Sequence, residues 1–159
     1  MLGQHRLSAA NSSARPAGVG DELRGCAIIY AYAEFAGLAR QAVAEQVVPM
    51  IQSGHRAWYS GQWALTWYGE QAGASCLSIN APYPQSGDII VAGEVEGGAS
   101  LVQRMDLKLR LLGTVSSDRP GIRIMNPQAH AGFYSNYFGY LPWAWAKDAV
   151  NTYFIWQVD

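Results

Sequence analysis

The sequence predicts an α/β domain: a mostly parallel central sheet with an antiparallel edge, and helices packed on the sheet in a three-layer-like arrangement. Three observations predict it. Helix-like and strand-like segments follow the order helix, strand, helix, strand, strand between Ala27 and Ala92, the order expected of βαβ-type packing. Asp106–Leu111 alternates leucines with charged residues, as a half-buried antiparallel strand near an edge does. The chain has 159 residues, half of them hydrophobic. That length can bury one core without disulfides or metal.

The domain is expected to span 26–159. Residues 1–25 are rich in Ser, Ala, Gly and Arg, with no acid before Asp21, and lack the apolar core of a signal peptide. They read as a disordered leader. Helical spacing then links Ile28, Tyr32, Phe35, Ala39, Ala42, Gln46 and Val47, and Leu38 and Val43 widen the stripe. Glu34, Arg40, Gln41 and Glu45 fall on the other face. Pro49 should kink or end this helix, and Gly54 suits a left-handed stop.

Arg56–Ser60 is short, aromatic and bounded by Gly54 and Gly61, so it reads as a strand. Gln62–Ala72 reads as a helix stopped by Gly73. Trp63, Trp67 and Gln71 fall four apart, which makes a core stripe the expectation for the two tryptophans. Ser75–Ile79 and Asp88–Ala92 are further strands, separated by a Pro-rich loop. Gly97-Gly98 marks a loop. Arg119-Pro120-Gly121 is a turn, Ile122–Met125 a short strand, and Gly132–Lys147 irregular and aromatic. Thr152–Val158 closes the sheet.

Only 14% of residues are charged and the net charge is -1, against about 25% charged in an ordinary domain. This excludes a disordered chain, a coiled coil and a basic nucleic-acid module, so no nucleic-acid partner is expected. The longest apolar run, Cys26–Ala33, is eight residues, against the ~20 of a membrane span. Cys26 and Cys76 read as buried thiols. His5, His55 and His130 do not stand at metal-ligand spacing, so neither metal nor cofactor is expected.

Two stretches hold most of the aromatic residues, Trp58–Tyr68 and Phe133–Trp145. Flat aromatic faces with polar rims suit sugars and lipid–water boundaries. No G-x-S-x-G surrounds Ser60, which leaves a small hydrolase the weakest reading. Glu94 and Glu96 alternate at a strand end, where a pair could do acid–base work; a solvated strand end is the expectation. Glu70 reads as a surface charge and His130 as a loop residue. Gly93–Gly98 is not a dinucleotide fingerprint.

Four segments in order resemble one family. They are Arg56–Gly73 (RAWYSGQWALTWYGEQAG), Ser86-Gly87-Asp88-Ile89-Ile90, Gly132-Phe133-Tyr134-Ser135 and Gly139-Tyr140-Leu141-Pro142-Trp143. They resemble the C-terminal soluble domain of bacterial membrane glycosyltransferases of the GT-C type, family 39-like, over roughly Ala31 to Val158. The family often carries His at the position of Gln62 and Met at that of Gly69. The resemblance implies an accessory extracytoplasmic domain of a polyprenyl-phosphate-sugar-dependent enzyme, without its catalytic membrane part. The family's acidic catalytic motif has no match, so no catalytic residue is carried over. The chain starts about where the last membrane helix would end, so a truncated reading frame is expected.

The clustering of aromatics beside Gly turns makes Trp58, Gln62, Trp63, Tyr134 and Trp143 the candidate binding residues. The partner would be a membrane glycosyltransferase part or a saccharide or polyprenyl-phosphate ligand, on the extracytoplasmic side of a bacterial membrane. Without the family, the chain reads as a cytoplasmic, stand-alone sugar-binding or protein-interaction module.

Overall fold

The structure, a computed structural model, describes residues 19–80, 82–117, 119–132 and 138–159, with side chains from Gly25 onward. Helix α1 (Val19–Ala42) passes through a π-helical turn (Val43–Val47) into α2 (Val48–Gln52). Helical backbone is already present at Val19, ahead of the start near Ala27 that the periodicity predicts. The rest of the expected leader lies outside the described residues. Ala31, Phe35, Leu38, Ala39, Ala42, Val43 and Val47 are buried, so the predicted stripe does face the core. Tyr32 is exposed. Pro49 does not end the helix. It sits at the start of α2, directly after the π-helical turn, which interrupts the regular bonding ladder where proline lacks an N–H. Gly54, at φ +92, follows the helix end.

The remaining elements are β1 (Ala57–Ser60), α3 (Ala64–Gln71), β2 (Ser75–Cys76), β3 (Ile89–Gly93), α4 (Gly98–Gln103), β4 (Leu109–Ser116), β5 (Gly121–Arg123), β6 (Met125–Asn126), β7 (Ala131–Gly132), β8 (Ala144–Ala146) and β9 (Thr152–Val158). The main sheet has the order β2-β1-β3-β9-β4. β1 runs parallel to β2 and β3, while β9 is antiparallel to both β3 and β4. Four strands therefore share a direction and β9 alone opposes them. The α/β prediction, with a parallel region and an antiparallel edge, describes this sheet. β9 does not close it at the rim, however; it fills the gap between β3 and β4.

Register decides which side chains share a face. Trp58, Ile90 and Trp156 form one cross-strand row, and Tyr59, Val91 and Ile155 the next. The first row's face packs on Ala99 and Val102 of α4. The second packs on Leu38, Ala39 and Val43 from the α1 side and on Leu65 of α3. Helices thus cover both faces. Each fully buried Ile, Leu or Val in these rows contributes roughly 1.5–3 kcal/mol.

Several local expectations are refined or corrected. The loop that Gly97-Gly98 marks is the turn over 94–97, and α4 begins directly at Gly98. β4 starts at Leu109; Leu111 keeps the face of Leu109, opposite Trp156, but is exposed on this edge strand, and a register shift follows between Leu111 and Gly113. Ile122–Met125 is split between β5 and β6, which pair with β8 and β7 outside the main sheet. Trp63 and Trp67 are not a core stripe. Both are exposed, and α3 buries Leu65 and Gly69 instead. Its core face has to accept the ring of Tyr59, 2.8 Å from where a Gly69 Cβ would stand, so the smallest residue holds that position. Cys26 and Cys76 are exposed free thiols rather than buried ones. No helix among the described residues is long and apolar enough to cross a membrane.

Asp88 ties the start of β3 to β1. Its carboxylate accepts from Arg56 Nε (3.1 Å) and Nη2 (2.9 Å), from the Trp58 indole (2.8 Å) and from the Gln85 N–H (2.9 Å). Burial alone would raise this carboxyl. The Gln85, Trp58 and Arg56 donors outweigh it and hold the group below the usual carboxylate range. Asp88→Ala should cost about 2 kcal/mol, because the buried Trp58 N–H loses its acceptor while Arg56 can turn to water. Urea denaturation of Asp88→Ala beside Asp88→Asn checks this, since asparagine keeps one acceptor.

Candidate functional site

The carboxyl ends of β1 and β3 lie side by side, and the chain leaves them toward opposite faces of the sheet. After β1 it enters α3, on the α1 side. After β3 it enters α4, on the other side. Adjacent parallel strands whose connections diverge leave a crevice at the strand ends, a recurrent ligand position in α/β sheets. A cavity of about 690 Å³ lies there. Gln62 and Trp63 line it from the β1–α3 turn, Glu94 to Gly97 from the β3–α4 turn, and Asp148, Ala149, Asn151 and Thr152 from the entry into β9. Asn126, Gln128 and Phe138 complete the wall.

Glu96 is the organising residue. It is 9% exposed. Its Oε2 accepts the Gln62 N–H at 2.9 Å. Its Oε1 accepts the Tyr153 hydroxyl at 2.8 Å and the Asn151 amide at 3.3 Å. Asn151 Oδ1 in turn accepts the N–H groups of Val95 (3.0 Å) and Thr152 (2.9 Å). Burial pushes the Glu96 carboxyl up to about 7, against the downward pull of the Gln62 N–H and the Tyr153 hydroxyl. Tyr153 is raised by its own burial and by facing this carboxylate.

Sequence places the right residue beside this carboxylate. A Cβ on Gly61 would stand 2.1 Å from Glu96 Oε2, so only glycine lets the β1–α3 turn approach it. The next side chain but one, Trp63, is held at φ +50 and ψ -115. That backbone region is unfavourable for any residue with a Cβ, by about 1–3 kcal/mol. Trp63 makes an edge-to-face contact with Phe35, with ring centroids 6.2 Å apart and planes at 72°. Its ring and that of Phe138 line the same cavity, so the two aromatic stretches of the sequence meet here.

The Asp148 wall is fixed from behind. Arg123, almost fully buried, donates to the Asp148 carbonyl through Nε (3.1 Å) and Nη2 (2.7 Å) and lies 3.7 Å from Glu34 of α1. Glu34, expected on a solvated face, is instead this partner and also accepts from Ser117.

Of the candidate binding residues, Gln62 and Trp63 line the cavity. Trp58 does not. It is 5% exposed and its indole N–H is held by Asp88, so no face of the ring is left for a ligand. Trp143 is partly exposed but outside the cavity wall. Tyr134 lies outside the described residues. Glu94 and Glu96 are not a solvated pair: Glu94 is exposed on the rim, whereas the turn folds Glu96 inward. Glu70, expected as a plain surface charge, accepts the Tyr59 hydroxyl at 2.9 Å. Ser60 donates to the Gly98 carbonyl and His55 faces the Gly87 carbonyl, which separates the two groups a hydrolase would have to join.

Glu96, Asn151 and Tyr153 escape sequence reasoning because their meeting depends on β9 entering beside β3. One local signal was available. Gly93, Gly97 and Gly98 crowd around Glu96 in the sequence, and such density of glycine marks close backbone approach.

Chemically, the cavity offers carboxylate and amide groups for hydroxyls, and aromatic faces for C–H surfaces. Its described wall has three carboxylates (Glu94, Glu96, Asp148) and no Lys, Arg or His. Among the described residues, no three His, Cys, Asp or Glu side chains are grouped to hold a metal ion. No family model, curated protein or solved structure matches the chain.

Proposed function

We propose that this domain is a carbohydrate-recognition module, accessory to a polyprenyl-phosphate-sugar-dependent membrane glycosyltransferase, and that the cavity at the ends of β1 and β3 is its sugar site. The observation that carries the reading is the wall itself. A tryptophan ring, amide side chains and carboxylates converge on one crevice with no cation among the described lining residues. Sugars present C–H faces to aromatic rings and hydroxyls to carboxylates and amides. A phosphate would meet the Glu94 and Asp148 carboxylates there, joined by Glu96 when it is ionised. The ligand part that fits is therefore the neutral saccharide, and a polyprenyl phosphate would have to bind elsewhere. The resemblance supplies the glycosyltransferase context.

Titration with cellotriose, mannotriose and chitotriose, followed by ¹H–¹⁵N NMR of the indole N–H groups, tests this. The Trp63 resonance should move with at least one sugar. Trp63→Ala should weaken binding by about tenfold, the equivalent of 1.4 kcal/mol from one aromatic face. If Trp63 stays still with every sugar, or if Trp63→Ala binds as tightly as the parent, the assignment fails.

A protein-interaction module is favoured by a separate observation. Tyr140, Leu141, Trp143 and Trp145 are all exposed, Tyr140 at 91% and Trp145 at 67%. Loss of a partner contact on Trp145→Ser, with sugar binding absent from the parent, would select that reading.

A further inference from the structure

We propose that ligand binding in this cavity is proton-linked through Glu96, whose carboxylate braces the strained β1–α3 turn that presents Trp63. The proposal rests on the carbohydrate reading for its ligand, but the linkage between Glu96 and Trp63 does not depend on it.

The geometry comes first. The Gln62 N–H that Glu96 accepts belongs to the residue directly before Trp63. Gly61, on the other side of Gln62, is in van der Waals reach of the same carboxylate oxygen. The only described side chain that accepts from this turn's backbone at Gln62 is Glu96. Trp63 itself sits in an unfavourable backbone region, and such a conformation persists only where its surroundings enforce it. The brace and the strain are one residue apart.

The charge environment comes second. Glu96 faces Tyr153 of β9 and Asn151 just before it; from the β1–α3 turn it faces Gln62, which has no titratable group. Its own turn adds Glu94, and the segment before β9 adds Asp148, both on the cavity wall. α4 contributes Ser100 to that wall and no charge. No described cation faces Glu96 to hold it ionised. The three hydrogen-bond donors are its whole support, and burial sets them against a carboxyl raised to about 7.

Ionised, Glu96 can accept all three donors. A proton on Oε2 ends that: the oxygen then carries a hydrogen of its own, facing the Gln62 N–H donor to donor. A proton on Oε1 is taken up by the Tyr153 hydroxyl, which turns to accept it, and Oε2 then holds the Gln62 N–H as a neutral acceptor, in a weaker bond than the charge-assisted one. In either case the fastening of the turn that holds Trp63 is lost or weakened. The ionised form therefore presents the ring on the firmer brace and also offers its one remaining lone-pair site to a hydroxyl in the cavity. If only that form binds, the competent fraction falls about tenfold from pH 8 to pH 6.

The experiment needs no variant to begin. The ¹³C carboxyl resonance of Glu96 and the indole ¹⁵N–¹H resonance of Trp63 are followed together in the full chain from pH 5 to pH 8.5, with no sugar present. Both should move with one midpoint near 7, and the Trp63 step should vanish in Glu96→Gln. A Glu96 midpoint in the ordinary carboxylate range near 4.3, or a Trp63 signal that ignores the Glu96 titration, overturns the proposal. Sugar affinity at pH 6 and pH 8 then separates the two readings. Equal affinity at both pH values overturns the linkage and leaves the carbohydrate site standing. Coupled titration with no sugar bound upholds the linkage and removes the carbohydrate site.

Discussion

The protein should be markedly more stable toward denaturant at pH 5 than at pH 8, and Glu96→Gln should erase most of the difference. In the unfolded chain the Glu96 carboxyl has its ordinary value of 4.5; in the fold it is raised to about 7. Between these values the folded state holds a proton that the unfolded state has lost. Stability therefore falls as pH rises through this window. The contribution is fully present below about 4.5 and gone above about 7. Its size is about 3 kcal/mol, the equivalent of that displacement at 1.36 kcal/mol per decade. The group is nearly buried, so solvent screening removes little of it. Asp88 has the opposite sign, because its carboxyl is lowered. Its contribution is lost only as pH falls below the ordinary carboxylate range, outside the Glu96 window. Urea midpoints at pH 5 and pH 8, with parent and Glu96→Gln, provide the measurement. A parent that is equally stable at both, or more stable at pH 8, contradicts the assignment of Glu96 as a buried, uncompensated carboxyl.

Gly98→Ala should be strongly destabilising, costing about 3 kcal/mol or more. A Cβ there would stand 1.9 Å from the Ser60 carbonyl oxygen and 2.5 Å from its carbon. Both are backbone atoms of β1, so no rotamer change relieves the clash. Overpacking of this kind typically costs 1–3 kcal/mol, and more where backbone must move. The damage should also reach the site, since α4 would be driven from the turn that carries Glu96. Thermal unfolding of Gly98→Ala, with the Trp63 indole resonance as reporter, checks both. An unchanged melting temperature would show that the approach of α4 to β1 is looser than these distances require.

Local pattern carried much of the fold. The apolar stripe from Phe35 to Val47, the buried run of β1, the strand at Ile89 and the long final strand are legible because each is a periodicity within one segment. The alternation of Leu107, Leu109 and Leu111 identified an antiparallel edge strand, and β4 is that strand. It says nothing of how far that face is covered: Leu111 shares the face of Leu109, opposite Trp156, and is still exposed. The four-residue spacing of Trp63 and Trp67 misled. Helical spacing says that two residues share a face, not which face is buried, and the Tyr59 ring beneath Gly69 settled that.

The candidate site was half legible. Gln62 and Trp63 stand out as polar and aromatic residues at a Gly turn, and they do line the cavity. Trp58 stands out equally and is consumed by Asp88, thirty residues away. Glu96 looked like one of two solvated acids. Its burial follows from Gly61, Gly93 and Gly98, which allow the β1 and β3 turns to touch, and from the entry into β9 bringing Asn151 and Tyr153 alongside.

The sequence by itself determined the class of fold, the identity of most strands, the poverty of charge and the two aromatic stretches. These depend on composition and on short-range period, which the chain carries wherever it goes. Tertiary structure alone decided that the two stretches meet through Trp63 and Phe138, and that one of two neighbouring acids is buried without a cation. Those facts depend on which strand lies beside which. The reason is physical. A carboxylate's protonation and a backbone's strain are set by atoms within a few ångströms, and at Glu96 those atoms come from residues 34 to 57 positions away.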